Sequence, residues 1–310
     1  MSGCSGSDKQ IHGAGCGIGH AGELLQGVIR NDQNTEPFLV TLPAPPFTSR
    51  ATVRYSEQAG DTVQPPWKTK ALRAARIAWR QLAGRSGPIR LIVDSRTPVG
   101  RGCGSSTSDC VAAIRAVADL RGCQVPADDI ALWTTQAETA ADATMFELRP
   151  VAFSQRRGRV LRPLGAAYPP MRVIAVDLGG PPVDSVGRPV PAYSRSEIAG
   201  FGELLARLEK SIVRQDASAL ARVATESAAI QQSYYPHPRW QEFAAFAKRP
   251  GVLGVACAHS GTVSAALLGP GETAAEEELV RGLDAAKLVV LARYELSAAP
   301  KGEFTACLSF

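Results

Sequence analysis

The residues best suited to chemistry form one run, Pro98-Val99-Gly100-Arg101-Gly102-Cys103-Gly104-Ser105-Ser106-Thr107, followed by a helix-forming stretch. Three alternating glycines let a backbone turn tightly and come close to a ligand, with successive N–H groups directed at one anion. A helix opening at Ser105 adds unpaired N–H donors and the positive end of its dipole. Ser105, Ser106, Thr107 and Ser108 supply hydroxyls for phosphate oxygens or for a magnesium ion, and Asp109 suits the first turn of a helix. No G-K-[ST] occurs and no G-x-G-x-x-G follows a strand, so this is neither a Walker loop nor a dinucleotide fingerprint. Taken alone, the run fits a phosphate-binding loop or an ordinary helix cap.

Three further segments carry polar groups among glycines or small residues. Residues 17–27, Gly-Ile-Gly-His-Ala-Gly-Glu-Leu-Leu-Gln-Gly, place His20, Glu23 and Gln26 in a glycine-rich setting. Residues 252–269 read as two apolar strands around the tip Ala258-His259-Ser260-Gly261, either a plain hairpin or a close approach to a phosphate. Glu138 and Asp142 stand four apart, on one face if a helix continues that far. A cation between them, or simple solvation of both, would relieve their repulsion.

The elements that must position these groups can be read from periodicity. Helices are expected over 67–82, ended by Gly84, over 105–120, with Val111, Ile114, Val117 and Leu120 on one face, and over 128–138. Strands are expected at 38–43 and 50–55, separated by a turn at Pro43 to Pro46, then at 89–93, 150–154 and 159–162. The second half holds a strand at 171–178, a Gly/Pro loop at 179–191, and helices over 196–213 and 217–232. A Ser194/Glu197 capping box starts the first of these, and Thr273/Glu276 would start another helix running to about residue 286. Strands near 288–294 and 304–309 close the chain. Strands and helices mixed without regular β-α-β alternation predict an α+β fold in two lobes, 1–165 and 166–310.

Composition narrows the class. The 310 residues are 45% hydrophobic and 20% charged, too apolar and too evenly charged for a disordered chain. No apolar run reaches the ~20 residues of a membrane helix, and the N-terminus lacks a basic region leading into an apolar one. A cytoplasmic protein without membrane partners is expected. The 34 basic and 29 acidic residues leave a net charge of +5, with no basic-aromatic stripe, so no nucleic-acid partner is expected. Seven cysteines without a C-x-x-C pair fit neither a disulfide framework nor a zinc knuckle; Cys110, Cys123, Cys257 and Cys307 read as small core residues. His12, His20, His237 and His259 show no metal-ligand spacing.

Taken in order, these segments resemble the GHMP family of small-molecule kinases, nearest to its L-threonine kinase branch in cobalamin side-chain synthesis. The likeness spans residues 15 to about 270. It rests on Gly22 to Gly27 with Phe38 to Pro43, on Pro98, Gly102, Gly104, Ser105 and Ser106, and on Gly254 to Val263. The resemblance implies an N-terminal mixed α/β lobe with the ATP loop and a C-terminal ferredoxin-like lobe. It implies ATP and Mg2+ as cofactors and a small-molecule hydroxyl acceptor, L-threonine first; a homodimer is compatible with it. Another alcohol (homoserine, serine or a related amino alcohol), or a ligand-binding sensor that has lost catalysis, stays open.

By the same likeness, Pro98, Gly100, Gly102, Cys103, Gly104, Ser105, Ser106 and Thr107 would surround the ATP phosphates. Ser106 and Glu138 would hold magnesium, and Asp142 would act at the acceptor hydroxyl. His20, Glu23 and Gln26 would face the acceptor, with His259, Ser260, Gly261 and Thr262 closing over the phosphates. The chain departs from the pattern at Cys103, at Thr107 and in the spacing of 138–142, where the branch has a tight E-P-[ST]-D.

Overall fold

A computed structural model describes residues 12–30, 35–55, 60–83, 87–181 and 190–297. Two long antiparallel strands form its spine, β1 (His12–Arg30) and β2 (Thr35–Tyr55). Around them the strands hydrogen-bond in the order β10-β7-β9-β8-β1-β2-β4-β3, with β5 joined to β2 and β6 to β5. In the first half, β3 (Thr62–Gln64), β4 (Ile89–Ser95), β5 (Val151–Ser154) and β6 (Arg159–Pro163) accompany helices α1 (Thr69–Ala83), α2 (Ser105–Leu120) and α3 (Ala127–Glu138). Trp79, Leu91, Val111, Ile114 and Trp133 are buried in the core they share. No described helix is long and apolar enough to cross a membrane.

The second half is a split β-α-β-β-α-β unit, the ferredoxin-like pattern expected. It runs β7 (Met171–Asp177), α4 (Arg195–Val213), α5 (Ala217–Tyr234), the short α6 (Trp240–Ala244), β8 (Val252–Cys257), β9 (Val263–Leu268), α7 (Thr273–Ala285) and β10 (Val289–Leu296). Its antiparallel strands lie in the order β10-β7-β9-β8, and β8 meets β1 at the single pair Glu23–Cys257. Residue 165 falls between β6 and β7.

Several expectations are corrected here. Residues 17–27, read as a glycine-rich segment, lie within strand β1, where Gly13, Gly15 and Gly17 pack on one face against α2. A Cβ at Gly15 would stand 2.3 Å from the carbonyl oxygen of Ala112, and one at Gly13 2.2 Å from that of Ala116. Gly15→Val therefore pushes a helix backbone off the sheet. A loss of about 3 kcal/mol, the upper end for overpacking, is expected in urea unfolding; a loss below about 0.5 kcal/mol would contradict this packing.

Strand β2 runs through the predicted Pro43–Pro46 turn. The register jumps from Ile18–Thr48 to Gly19–Ala44, so Pro45, Pro46 and Phe47 sit in a bulge that needs no ladder hydrogen bond. The Ser194/Glu197 box is present, but α7 has none. Glu276 is buried instead, bound to Arg172 and to Arg293. Cys110 and Cys257 are core residues, whereas Cys123 is only half-buried and is disulfide-bonded. Gly84, Cys307 and the strand expected at 304–309 lie outside the described residues.

Candidate active site

The glycine run crosses from β4 to α2 and lines a cavity of about 380 Å³. Gly100, Gly102 and Gly104 all have positive φ (72°, 78° and 68°), which glycine adopts without steric cost. Gly104 is the N-cap of α2 and, having no side chain, leaves the first-turn N–H groups without a side-chain acceptor. Those donors and the dipole end face the cavity that Gly104, Ser105, Ser106 and Thr107 line. Behind the loop, Ser49 Oγ bonds Ser108 Oγ (2.8 Å) and Asp109 Oδ1 (2.7 Å), while Lys68 pairs with Asp109. Asp109, expected only to favour the helix start, thus anchors α2.

The loop docks on the turn between β8 and β9. Thr262 N and Val263 N both donate to Arg101 O at 2.9 Å. A Cβ at Gly102 would stand 2.0 Å from Ser260 O, and one at Gly261 2.4 Å from Arg101 O. Arg101 also reaches Asp177 (3.2 Å), which accepts a hydrogen bond from Thr262 Oγ1 (2.5 Å).

Helix α3 stops at Glu138 because Thr139 turns to φ 75°. Asp142 therefore does not share a helix face with Glu138. The two meet instead at Thr107, whose Oγ1 donates to Glu138 Oε2 (2.8 Å) and reaches Asp142 Oδ2 (3.4 Å). Ala141 N donates to Gln155 O on the far side of the turn (2.9 Å), fixing the chain just before Asp142. Burial raises the pKa of Glu138 to about 7, against the pull of the Ser106 and Thr107 hydroxyls and of Lys70, 3.8 Å away.

Asp142 is surrounded by imidazole. Its Oδ2 lies 3.2 Å from His20 Nε2, and His259 adds further positive potential. Burial opposes its ionisation, yet His20 and His259 hold the carboxyl below its ordinary range. Glu23, behind His20, is 1% exposed, and neither carboxyl oxygen has a hydrogen-bond partner among the described residues. Burial lifts its pKa to about 8, outweighing His20.

Of the predicted residues, Gly100, Gly102, Cys103, Gly104, Ser105, Ser106, Thr107, Glu138, Asp142, His20, His259 and Ser260 all line the one cavity. Pro98, Glu23, Gln26, Gly261 and Thr262 are not in its wall. Gln26 braces a residue that is: its Oε1 lies 2.8 Å from His259 Nδ1. Sequence reasoning missed Leu39, Lys70, Gln155 and Arg156, which also line it. Lys70 carries a weak signal, an odd cation at the start of a helix whose other face is apolar; Leu39 falls within the Phe38 to Pro43 run, and Gln155 and Arg156 carry none.

Residues 69–148 match the family model described as the GHMP kinases N-terminal domain, covering α1, the glycine loop, α2, α3 and Asp142. An L-threonine kinase of Citrobacter freundii is 24% identical over 249 residues, spanning 80% of this chain and 83% of that one. A homoserine kinase from Cytophaga hutchinsonii has a similar structure, with TM-score 0.70 and 16% identity over 95% of this chain and 97% of that one. A mevalonate kinase from methicillin-resistant Staphylococcus aureus gives 0.60 and 17%, over 92% and 98%. At these identities the solved structures establish the fold.

Proposed function

We propose, for a chain whose first half carries the GHMP kinase N-terminal domain and whose whole fold is that of these kinases, that it transfers the γ-phosphoryl group of ATP to the hydroxyl of L-threonine. The family likeness makes it a phosphotransferase acting on a small alcohol. One observation carries the reading of the site. A glycine loop at an uncapped helix N-terminus and the carboxylate of Asp142 face the same cavity of about 380 Å³. The similarity to an L-threonine kinase along four-fifths of the chain supports threonine over other acceptors.

In this reading the N–H groups around Gly102 to Thr107 cradle the phosphates, and Lys70 offers a cation on the same cavity wall. Asp142 accepts the proton of the attacking hydroxyl. Both of its side-chain hydrogen bonds fall on Oδ2, and Oδ1 has none among the described residues. Ser106 and Glu138 fit a magnesium ion. Glu138 is a buried carboxyl with a single cation 3.8 Å away, an oxygen donor short of positive charge. Magnesium bound there would neutralise charge on the phosphates.

The test is ADP release from magnesium-ATP with L-threonine, L-serine, L-homoserine and simple amino alcohols. The highest kcat/KM is expected with L-threonine. A better alcohol would keep the phosphotransferase and remove threonine. ATP binding with no turnover on any acceptor would identify a sensor that has lost catalysis.

A further inference from the structure

His20 and Glu23 form a buried line behind Asp142 that the transfer step as derived leaves without a task. His20 is 3% exposed, between two carboxyls: Nε2 is 3.2 Å from Asp142 Oδ2 and Nδ1 is 3.5 Å from Glu23 Oε1. One ligand atom of each residue lies within 4.8 Å of the others, a spacing that would also admit a metal ion. The hydrogen bonds decide between a metal and a proton. Gly22 N–H donates to Nδ1 at 3.1 Å, occupying that lone pair. Nε2, at hydrogen-bond distance from a carboxylate oxygen, must then carry the ring proton. This leaves the ring no lone pair for a metal.

We infer that His20 is a positioning residue for Asp142: its Nε2–H binds Oδ2 and leaves Oδ1 for the acceptor hydroxyl, with Glu23 lying behind the ring. The inference rests on the reading above for the role of Asp142. In the transfer step the acceptor oxygen forms its bond to the γ-phosphorus. The bond from that phosphorus to the β-bridging oxygen breaks, and ADP leaves with the electron pair. The hydroxyl proton goes to Asp142 Oδ1, and His20 keeps its own proton throughout.

The surroundings favour this division of labour. Burial favours the neutral ring while Asp142 and Glu23 pull toward a second proton; with Gly22 N–H on Nδ1, the ring that meets Oδ2 is the neutral Nε2–H form. The groups acting on Asp142 are His20 and Glu23 from β1, His259 from the β8–β9 turn, Glu138 at the end of α3, and Cys103 of the glycine loop. Of these, His20 places a ring N–H at hydrogen-bond distance from Oδ2. Without it, burial and the two glutamates would push the Asp142 pKa upward.

Two experiments test the inference, one independent of activity. The chain has four histidines, so 15N-histidine NMR resolves the ring, with His20→Gln giving the assignment. Wild-type protein is expected to keep the Nε2–H form above pH 7, and Asp142→Asn to lower the His20 pKa by about one unit or more. A His20 titration unchanged by Asp142→Asn overturns the inference, whether or not an acceptor has been found.

In kinetics, His20→Leu should move the acid limb of the kcat profile to higher pH, with a loss of about 10-fold or more at pH 6.5 that recovers at alkaline pH. His20→Gln, which retains an N–H donor, should recover part of that loss, and KM for ATP should stay unchanged in both. An equal loss at every pH means a structural role only and overturns the inference while leaving the kinase reading intact. Wild-type protein inactive on every acceptor overturns the kinase reading instead, and the NMR result stands by itself.

Discussion

Asp142→Asn is expected to lower kcat for phosphoryl transfer by about 10²-fold or more, with nucleotide affinity changed by less than about twofold. The magnitude follows from the loss of a positioned proton acceptor, since an amide cannot take the hydroxyl proton. The split between kcat and affinity follows from geometry. Asp142 faces the cavity beside His20 and Thr107, whereas the N–H groups suited to phosphate belong to the backbone of the glycine loop and the first turn of α2. Asparagine is nearly isosteric, so loop and helix keep their places. Single-turnover measurements with saturating magnesium-ATP provide the check. Unchanged turnover removes Asp142 from the mechanism, and a matching loss of nucleotide affinity would reassign it to binding.

Gly102→Ala carries the second large effect, and it should fall on the nucleotide. The new Cβ would stand 2.0 Å from Ser260 O and 2.9 Å from Gly261 Cα, backbone atoms that no rotamer can move. The backbone there has φ 78°, where a side chain adds a penalty of its own. Relief requires the glycine loop to part from the β8–β9 turn, breaking the pair of bonds from Thr262 and Val263 to Arg101 O. A loss of at least about 1.4 kcal/mol, tenfold in ATP affinity, is expected by calorimetry. Gly122→Ala is the control: it has a similar φ of 60°, nothing within 4 Å and a place outside the cavity wall. Equal ATP affinity in wild type and Gly102→Ala would mean that the loop does not hold the nucleotide.

Much of this site was legible in the sequence because its chemistry is local. The glycine loop needs only its own residues to turn and to open a helix, and the run 98–107 contains all of them. The acidic pair was legible as residues but not as geometry. Glu138 and Asp142 converge through Thr107, on another helix, and the non-glycine turn at Thr139 that separates them has no marker in the sequence. Strand β1 stayed hidden for a related reason. Its glycines look like turn formers, and their actual cause, the backbone of α2 lying against them, is some 100 residues away. Pro45 and Pro46 likewise suggest a break, yet a bulge absorbs them inside a continuous strand. Lys70 enters the cavity because α1 packs against α2, and Gln155 because its carbonyl binds Ala141 N, long-range outcomes that periodicity does not encode.

The most direct measurement follows the phosphoryl group itself. ATP labelled at the γ-phosphoryl group is incubated with the protein, magnesium and L-threonine, and the labelled product is identified by mass. The expected result is label in O-phospho-L-threonine, one for each ADP formed, and its loss by about 10²-fold or more in Asp142→Asn. ADP formed without label on any hydroxyl acceptor, or transfer that survives in Asp142→Asn, would contradict a transfer site built from the glycine loop and Asp142.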